Sequence, residues 1–284
     1  MTRMPIKAVV TDLDGTLLNP QHCISNYTAE VLKKIKEKGI CFVVATGRPY
    51  AEVFSRIRHC HLAPDYIITS NGARIHDGAF NVVREHNIRP ELVESLARMR
   101  TVKDPATGAE LPKKFTTNIY RGIEWLTDKS IPEVNKAFHM DFQCTDLRER
   151  FYELQASELG EVHEIWFAGD HDELVLLDSA LREKYPGDLC CTFSLPYLLD
   201  CVPAGVNKGS GVREVAEVLG LALDEVACFG DGMNDESMLQ VTSASFIMAN
   251  GQQRLKDAVP HAQIIGSNAD DGVAKKLEEI FFSS

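Results

Sequence analysis

Short apolar runs alternate with amphipathic stretches at both ends of this chain, and that alternation constrains the fold more than any other feature. Residues 6–11 form a nearly continuous apolar run. Ser25 is placed to cap a helix reaching about Lys38, with Val31, Leu32 and Ile35 on one face and Gly39 as its stop. Residues 40–45 read as a second strand, residues 49–58 as a helix opened by Pro49, and residues 66–69 as a third strand. Strands that are apolar throughout need cover on both faces, so the pattern predicts a parallel sheet flanked by helices. Asn71-Gly72 and Asp77-Gly78 mark turns around two short pieces, residues 74–76 and 80–83, which read as a hairpin.

The same pattern returns after Leu199. It predicts a helix over 208–219, a strand over 226–230, a helix starting at 235–239 and a strand over 244–248. A helix over 252–258, a strand over 263–265 and a closing helix over 270–281 follow. The middle differs. Residues 90–99 read as a helix, and residues 104–114, with Pro105, Gly108 and Pro112, as a loop. Strand candidates lie at 115–126, 142–145, 162–168 and 189–195, with helices near 132–138 and 172–185. The expectation is an α/β fold with a Rossmann-like parallel-sheet core, split in sequence over 1–86 and 200–284. An inserted α+β cap occupies 87–199. At 284 residues the chain has the length of two domains of about 150 residues each.

Charge narrows the partners. Asp and Glu total 41 against 30 Lys and Arg, a formal net charge of -11 without a strong basic cluster, so nucleic acid is not expected as a partner. An apolar fraction of 44% and a charged fraction of 25% exclude collagen-like, disordered and disulfide-scaffold chains. No apolar run reaches the roughly 18 residues of a membrane span, and the first strand is too short for a signal-peptide core. The eight cysteines form no Cys-x-x-Cys pair, which argues against a zinc site and for the reducing cytoplasm. Cys41 and Cys228 sit in apolar runs and read as buried thiols. The Asn26-Tyr27-Thr28 sequon reads as chance, and His59, His61 and His139, without metal spacing, as surface residues.

In an open α/β sheet, ligands bind at the carboxyl ends of the strands. Four polar clusters stand at such ends or beside them: Asp12-Leu13-Asp14-Gly15-Thr16, Thr46-Gly47-Arg48, Gly205-Val206-Asn207-Lys208 and Gly230-Asp231-Gly232-Met233-Asn234-Asp235. In extended chain Asp12 and Asp14 point to one side. Two carboxylates about 4 Å apart repel by about 4 kcal/mol at an effective dielectric near 20. A cation relieves that cost, and a few oxygens around a hard, hydrated ion suit Mg2+ better than Ca2+. Lys208 and the Thr46 hydroxyl offer a point charge and a hydrogen-bond donor to a phosphate. Gly15, Gly47 and Gly232 allow backbone N–H groups to come close to an anion.

At these residues the chain resembles the haloacid dehalogenase superfamily of phosphohydrolases. Asp12 to Thr16 is similar to its first motif, Thr46 to its second, Lys208 to its third and Gly230 to Asp235 to its fourth. The Thr69-Ser70-Asn71-Gly72-Ala73 turn, the position of the insertion and residues 268–273 resemble the Cof-type branch, with its large α/β cap. Phe246-Ile247-Met248-Ala249-Asn250-Gly251 departs from that branch's usual Val-Ala-Met-x-Asn-Ala.

The resemblance implies a Mg2+-dependent phosphatase acting on a small phosphorylated metabolite, a sugar phosphate or a nucleotide-like monophosphate. Asp12 would be the nucleophile that forms an aspartyl-phosphate, and Asp14 the general acid and then base. Asp12, the Asp14 carbonyl and Asp231 would hold Mg2+. Thr46, Gly47, Lys208 and Asn234 would bind the phosphoryl oxygens, and Asp235 would orient Lys208 or a metal-bound water. The cap would close over the site and meet the leaving group. Two other functions stay open: a phosphotransferase or phosphomutase using the same intermediate, and a non-catalytic ligand sensor. Dehalogenation is disfavoured, because it leaves Asp14 without a role. Arg48 and Asn71 either touch substrate or fix a turn. In the cap, Arg121, His163, Glu164 and Trp166 read as packing or surface before specificity. The expected assembly is a monomer or weak homodimer with no membrane partner.

Overall fold

The structure is a computed structural model that describes residues 5–104, 106–132 and 142–283. Contacts divide the chain into two compact units. The first comprises residues 1–47, 57–84 and 207–284, and the second residues 48–56 and 85–206. The second unit therefore gains residues 48–56, and the chain returns to the first at Asn207, later than the expected junction at 199/200.

The first unit holds β1 (Ala8–Thr11), β2 (Cys41–Ala45), β3 (Tyr66–Thr69), β4 (Arg74–Asp77) and β5 (Val82–Glu85), the last ending at the unit boundary. After the insertion come β14 (Val226–Gly230), β15 (Ala244–Met248) and β16 (Gln263–Ile265). They form one sheet in the order β16-β15-β14-β1-β2-β3-β4-β5. Pairing is parallel from β16 to β3 and antiparallel between β3 and β4. Successive strands run one way from β1 and the other way from β14, so the sheet's switch point lies between β1 and β14. A ligand crevice opens at such a point.

Both sheet faces are buried, as unbroken apolar strands require. Val10, Val43, Ile68, Cys228 and Ile247 pack with Val212, Val215 and Ala216 of α5 (Lys208–Leu219) and with Met238 and Leu239 of α6 (Glu236–Gln240). The alternate residues Val9, Phe42, Val44 and Ile67 are also buried and point to the opposite face. There α1 (Asn26–Glu37) packs on β2 and on α8 (Gly272–Phe282). The Ser25 hydroxyl accepts the Thr28 N–H at 3.0 Å, which caps α1 as expected. Helix α7 (Gln253–Ala258) links β15 to β16.

The second unit is built on a six-stranded sheet, β10-β9-β8-β11-β13-β12. Its strands are β8 (Thr116–Arg121), β9 (Glu124–Thr127), β10 (Thr145–Asp146), β11 (Val162–Ala168), β12 (Leu189–Leu195) and β13 (Leu198–Pro203). One face carries α3 (Pro90–Ala97) and α4 (His171–Lys184) over Ile119, Ile165, Phe167 and Leu199. The other is aromatic: Tyr120, Trp125, Phe142 and Trp166 cluster there, with Ala51 of α2 (Tyr50–His59) against them. That contact explains why the start of α2 belongs to this unit.

Further expectations change. Of the strand expected over 142–145, only Thr145 lies in one, at the start of the two-residue β10. The strand expected over 115–126 is two strands, β8 and β9, turned at Gly122. The loop expected over 104–114 contains β7 (Glu110–Pro112), which pairs with β6 (Thr101–Lys103). Proline is tolerated in such a short ribbon because it removes only one donor. Cys41 is half-buried, whereas Cys228 is buried. The helix expected near 132–138, and His139, lie outside the described residues beyond Pro132. Among the described residues no helix is long and apolar enough to cross a membrane.

Candidate active site

The site is built on the switch point. Thr11 and Phe229 are register partners, so β1 and β14 end side by side, and the Asp12 N–H donates to the Phe229 carbonyl at 3.0 Å. Asp12 leaves β1 and Asp231 follows β14, which brings two carboxylates distant in sequence to one place. Gly15 has φ +80, and a Cβ there would stand 2.4 Å from Asp231 Oδ2. Only glycine lets the turn pass that carboxylate. Thr16 then donates its hydroxyl to Asp231 Oδ1 at 2.7 Å.

Lys208 enters from α5. Asn207 caps that helix by accepting the Ser210 N–H at 2.9 Å, so Lys208 begins the first turn. Its ammonium is fully buried and lies 2.7 Å from Asp12 Oδ1 and 2.6 Å from Asp235 Oδ1. Asp235 is oriented in turn, because its Oδ2 accepts the N–H groups of Asp231 at 2.8 Å and Gly232 at 3.0 Å. The helix start is seated against Gly72, whose φ is +106 and where a Cβ would meet the Asn207 carbonyl oxygen at 2.4 Å. Gly72→Ala is therefore expected to cost about 1–3 kcal/mol in urea unfolding and to reduce turnover by displacing Lys208. Unchanged unfolding and turnover would remove this account of the seat.

A second group stands beside the first. Asn234 Nδ2 donates to Asn71 Oδ1 at 3.1 Å, and the Asn71 N–H donates to the Thr46 carbonyl at 3.1 Å. A Cβ on Gly47 would lie 3.1 Å from Asn71 Oδ1, so Thr46, Gly47, Asn71 and Asn234 are neighbours. Ser70 and Asn71 both have positive φ, 47 and 52, a strained backbone of the kind that collects at functional sites. The sequence left Asn71 undecided. Its signal was an Asn-Gly turn directly after an apolar strand.

Asp14 lies past the end of β1 at Thr11, in the turn that follows the strand. Its side chain is about a third exposed, and Oδ1 lies 3.5 Å from His22 Nδ1. It remains close enough to raise the proton affinity of both Asp12 and Asp231. Asn250, in the segment that departs from the Cof-type pattern, donates to the Gly15 carbonyl at 2.8 Å and supports the same turn.

Carboxylate crowding sets the electrostatics. Burial holds Asp12 well above the ordinary carboxylate range, with Asp235, Asp231 and Asp14 adding to the shift and Lys208 opposing it. Burial, then Asp235, pushes Asp231 up to about 6. Burial alone would lower Lys208, but Asp12 and Asp235 outweigh it and raise it. Asp12, Asp231 and Asp235 bring ligand atoms within 4.8 Å of one another, close enough for one metal ion. Both Asp235 oxygens are already engaged. Asp12 Oδ2 and Asp231 Oδ2 accept no hydrogen bond among the described residues, so a hard divalent cation fits these two carboxylates.

The other expectations divide. His59 and His61 are exposed, as read. His163, Glu164 and Trp166 are buried in β11, and Arg121 Nε donates to Glu124 at 2.8 Å. Arg48 pairs with the buried Glu52, which Arg56 also contacts.

Comparison with known proteins identifies the family. Residues 9–277 match the haloacid dehalogenase-like hydrolases. A protein of Escherichia coli O157:H7 named HMP-PP phosphatase is 31% identical over 266 residues, which span 94% of this chain and 92% of the relative. The crystal structure of a haloacid dehalogenase-like hydrolase from Bacteroides thetaiotaomicron superposes with a TM-score of 0.76 at 28% identity, over 97% of this chain and 100% of the other. A Streptococcus mutans UA159 protein, SMU.1108c, shares the fold at a TM-score of 0.80 and 23% identity, over 98% of this chain and 100% of the other.

Proposed function

The chain belongs to the haloacid dehalogenase-like hydrolases, and on that premise we propose that it is a Mg2+-dependent phosphatase of small phosphorylated metabolites. One observation carries the reading: a buried ammonium bridges Asp12 and Asp235 beside Asp231, at the switch point of a parallel sheet. The name of the E. coli relative, HMP-PP phosphatase, supports a small phosphorylated substrate.

Each residue then has a task. Lys208 holds Oδ1 of Asp12, which leaves Oδ2 to attack phosphorus in line with the departing oxygen. Asp14, nearer solvent, gives that oxygen a proton and later takes one from the water that opens the aspartyl-phosphate. Thr46, Gly47, Asn234 and Lys208 hold the phosphoryl oxygens, and Asn71 positions Asn234. Asp235 keeps Lys208 in place. Asp12, the Asp14 carbonyl and Asp231 would hold Mg2+, which would offset charge between the carboxylates and the phosphate.

The test is phosphate release across a panel of phosphorylated metabolites, with Mg2+ and with chelator. Release in step with substrate loss, abolished by chelator, is expected. Substrate loss without free phosphate would overturn hydrolysis in favour of group transfer, and no turnover on any substrate would overturn catalysis.

The raised Asp231 makes cation binding depend on pH. A proton held up to about pH 6 competes with the ion, so affinity should fall as pH drops through 6. The decline should approach about tenfold per pH unit for each proton displaced. Calorimetric Mg2+ titrations at pH 5 and pH 7.5 check this, and equal affinities would exclude Asp231 as a ligand. The metal-free chain has the matching stability sign. The native state holds the Asp231 proton between the ordinary value of 3.8 and about 6, so this group's contribution to stability is lost as pH rises through that window.

A further inference from the structure

Two thiols of the second unit face each other away from the residues assigned above. β12 is an edge strand, antiparallel to β13, and Cys191 lies directly opposite Cys201 in their register. Both are free thiols, with sulfurs 2.9 Å apart. Residues opposite each other on antiparallel strands have Cα atoms about 4.5–5.5 Å apart, within the roughly 4.4–6.8 Å that a disulfide spans. The bond therefore needs side-chain rotation and no backbone movement.

We propose that Cys191 and Cys201 form a redox modification site that closes into a reversible disulfide by exchange with a low-molecular-weight disulfide such as oxidised glutathione. Exposure sets the order of events. Cys191 is half-buried, whereas Cys201 lies in the core. The Cys191 thiol loses its proton and the thiolate attacks one sulfur of the small disulfide. That S–S bond breaks, one small thiolate leaves and takes up a proton, and a mixed disulfide remains on Cys191. The Cys201 sulfur then attacks the Cys191 sulfur. It loses its proton as the second small thiolate departs and gains one. Two protein thiols have given up two electrons, and one small disulfide has become two thiols. Burial pushes the Cys201 thiol up, so it is a poor nucleophile towards bulk reagents and depends on the partner beside it. Cys190 points to the other face of the strand and serves as an internal control.

Full-length protein is incubated with oxidised glutathione, alkylated, digested with trypsin and read by tandem mass spectrometry. Cleavage after Lys184 and Lys208 releases residues 185–208, which contain all three cysteines. The expected product carries one alkyl group, on Cys190, with the rest of the peptide about 2 Da lighter for two lost hydrogens. Dithiothreitol should reverse it. Cys190→Ser should keep the product and Cys191→Ser should lose it. Three alkylated cysteines, a lasting glutathione adduct on Cys191, or loss of the product in Cys190→Ser would each overturn the proposal.

Discussion

Asp12→Asn is expected to reduce phosphate release by at least about 10^3-fold, because an amide cannot form the acyl-phosphate and no neighbouring carboxylate is held in its place. Asp235 has both oxygens committed, and Asp231 is tied by Thr16. The substitution is isosteric and removes one charge from a crowded buried cluster, while Lys208 keeps Asp235 as partner. Thermal melting should therefore stay within a few degrees of the parent, which separates lost chemistry from lost folding. A variant that melts normally and keeps a tenth of its turnover would contradict the assignment of Asp12 as nucleophile.

Lys208→Met is expected to fail in both respects. The ammonium is fully buried between Asp12 and Asp235, and its removal strands two carboxylates in the interior. Breaking a buried pair in this way costs about 3–5 kcal/mol, a large share of the roughly 5–15 kcal/mol that holds a domain together. The loss should have a pH signature. Stranded carboxylates have folded pKa values above their unfolded ones, so stability is present at low pH and lost as pH rises. The gap between parent and variant should thus narrow in acid. Adding Asp235→Asn should recover part of the stability and none of the activity. A Lys208→Met protein that unfolds at the parent's urea concentration at neutral pH would show that the pair is not the strut described here.

The same two residues show how the sequence and the fold divide the explanation. Asp12, Asp231 and Lys208 were legible because each follows an apolar strand or opens a helix, and the strand-end rule says where such residues go. Strands over 66–69, 162–168, 189–195 and 244–248 were legible as short, mostly apolar runs. Asn71 was not, because its contact with Asn234 joins positions 163 residues apart. Nor was the pairing of β6 with β7, where three-residue strands carry almost no periodic signal.

By itself the sequence determined the parallel core, its interruption by an inserted unit, and the chemical kind of residue at each strand end, because burial on two faces and turn chemistry are local requirements. Tertiary structure decided that Asp14 has His22 beside it, that of the two tasks open to Asp235 it takes the one at Lys208, that residues 48–56 join the second unit and that Cys191 meets Cys201. Those outcomes depend on which strands become neighbours and in what register. That is set by the packing of the whole chain and is written in no short stretch of it.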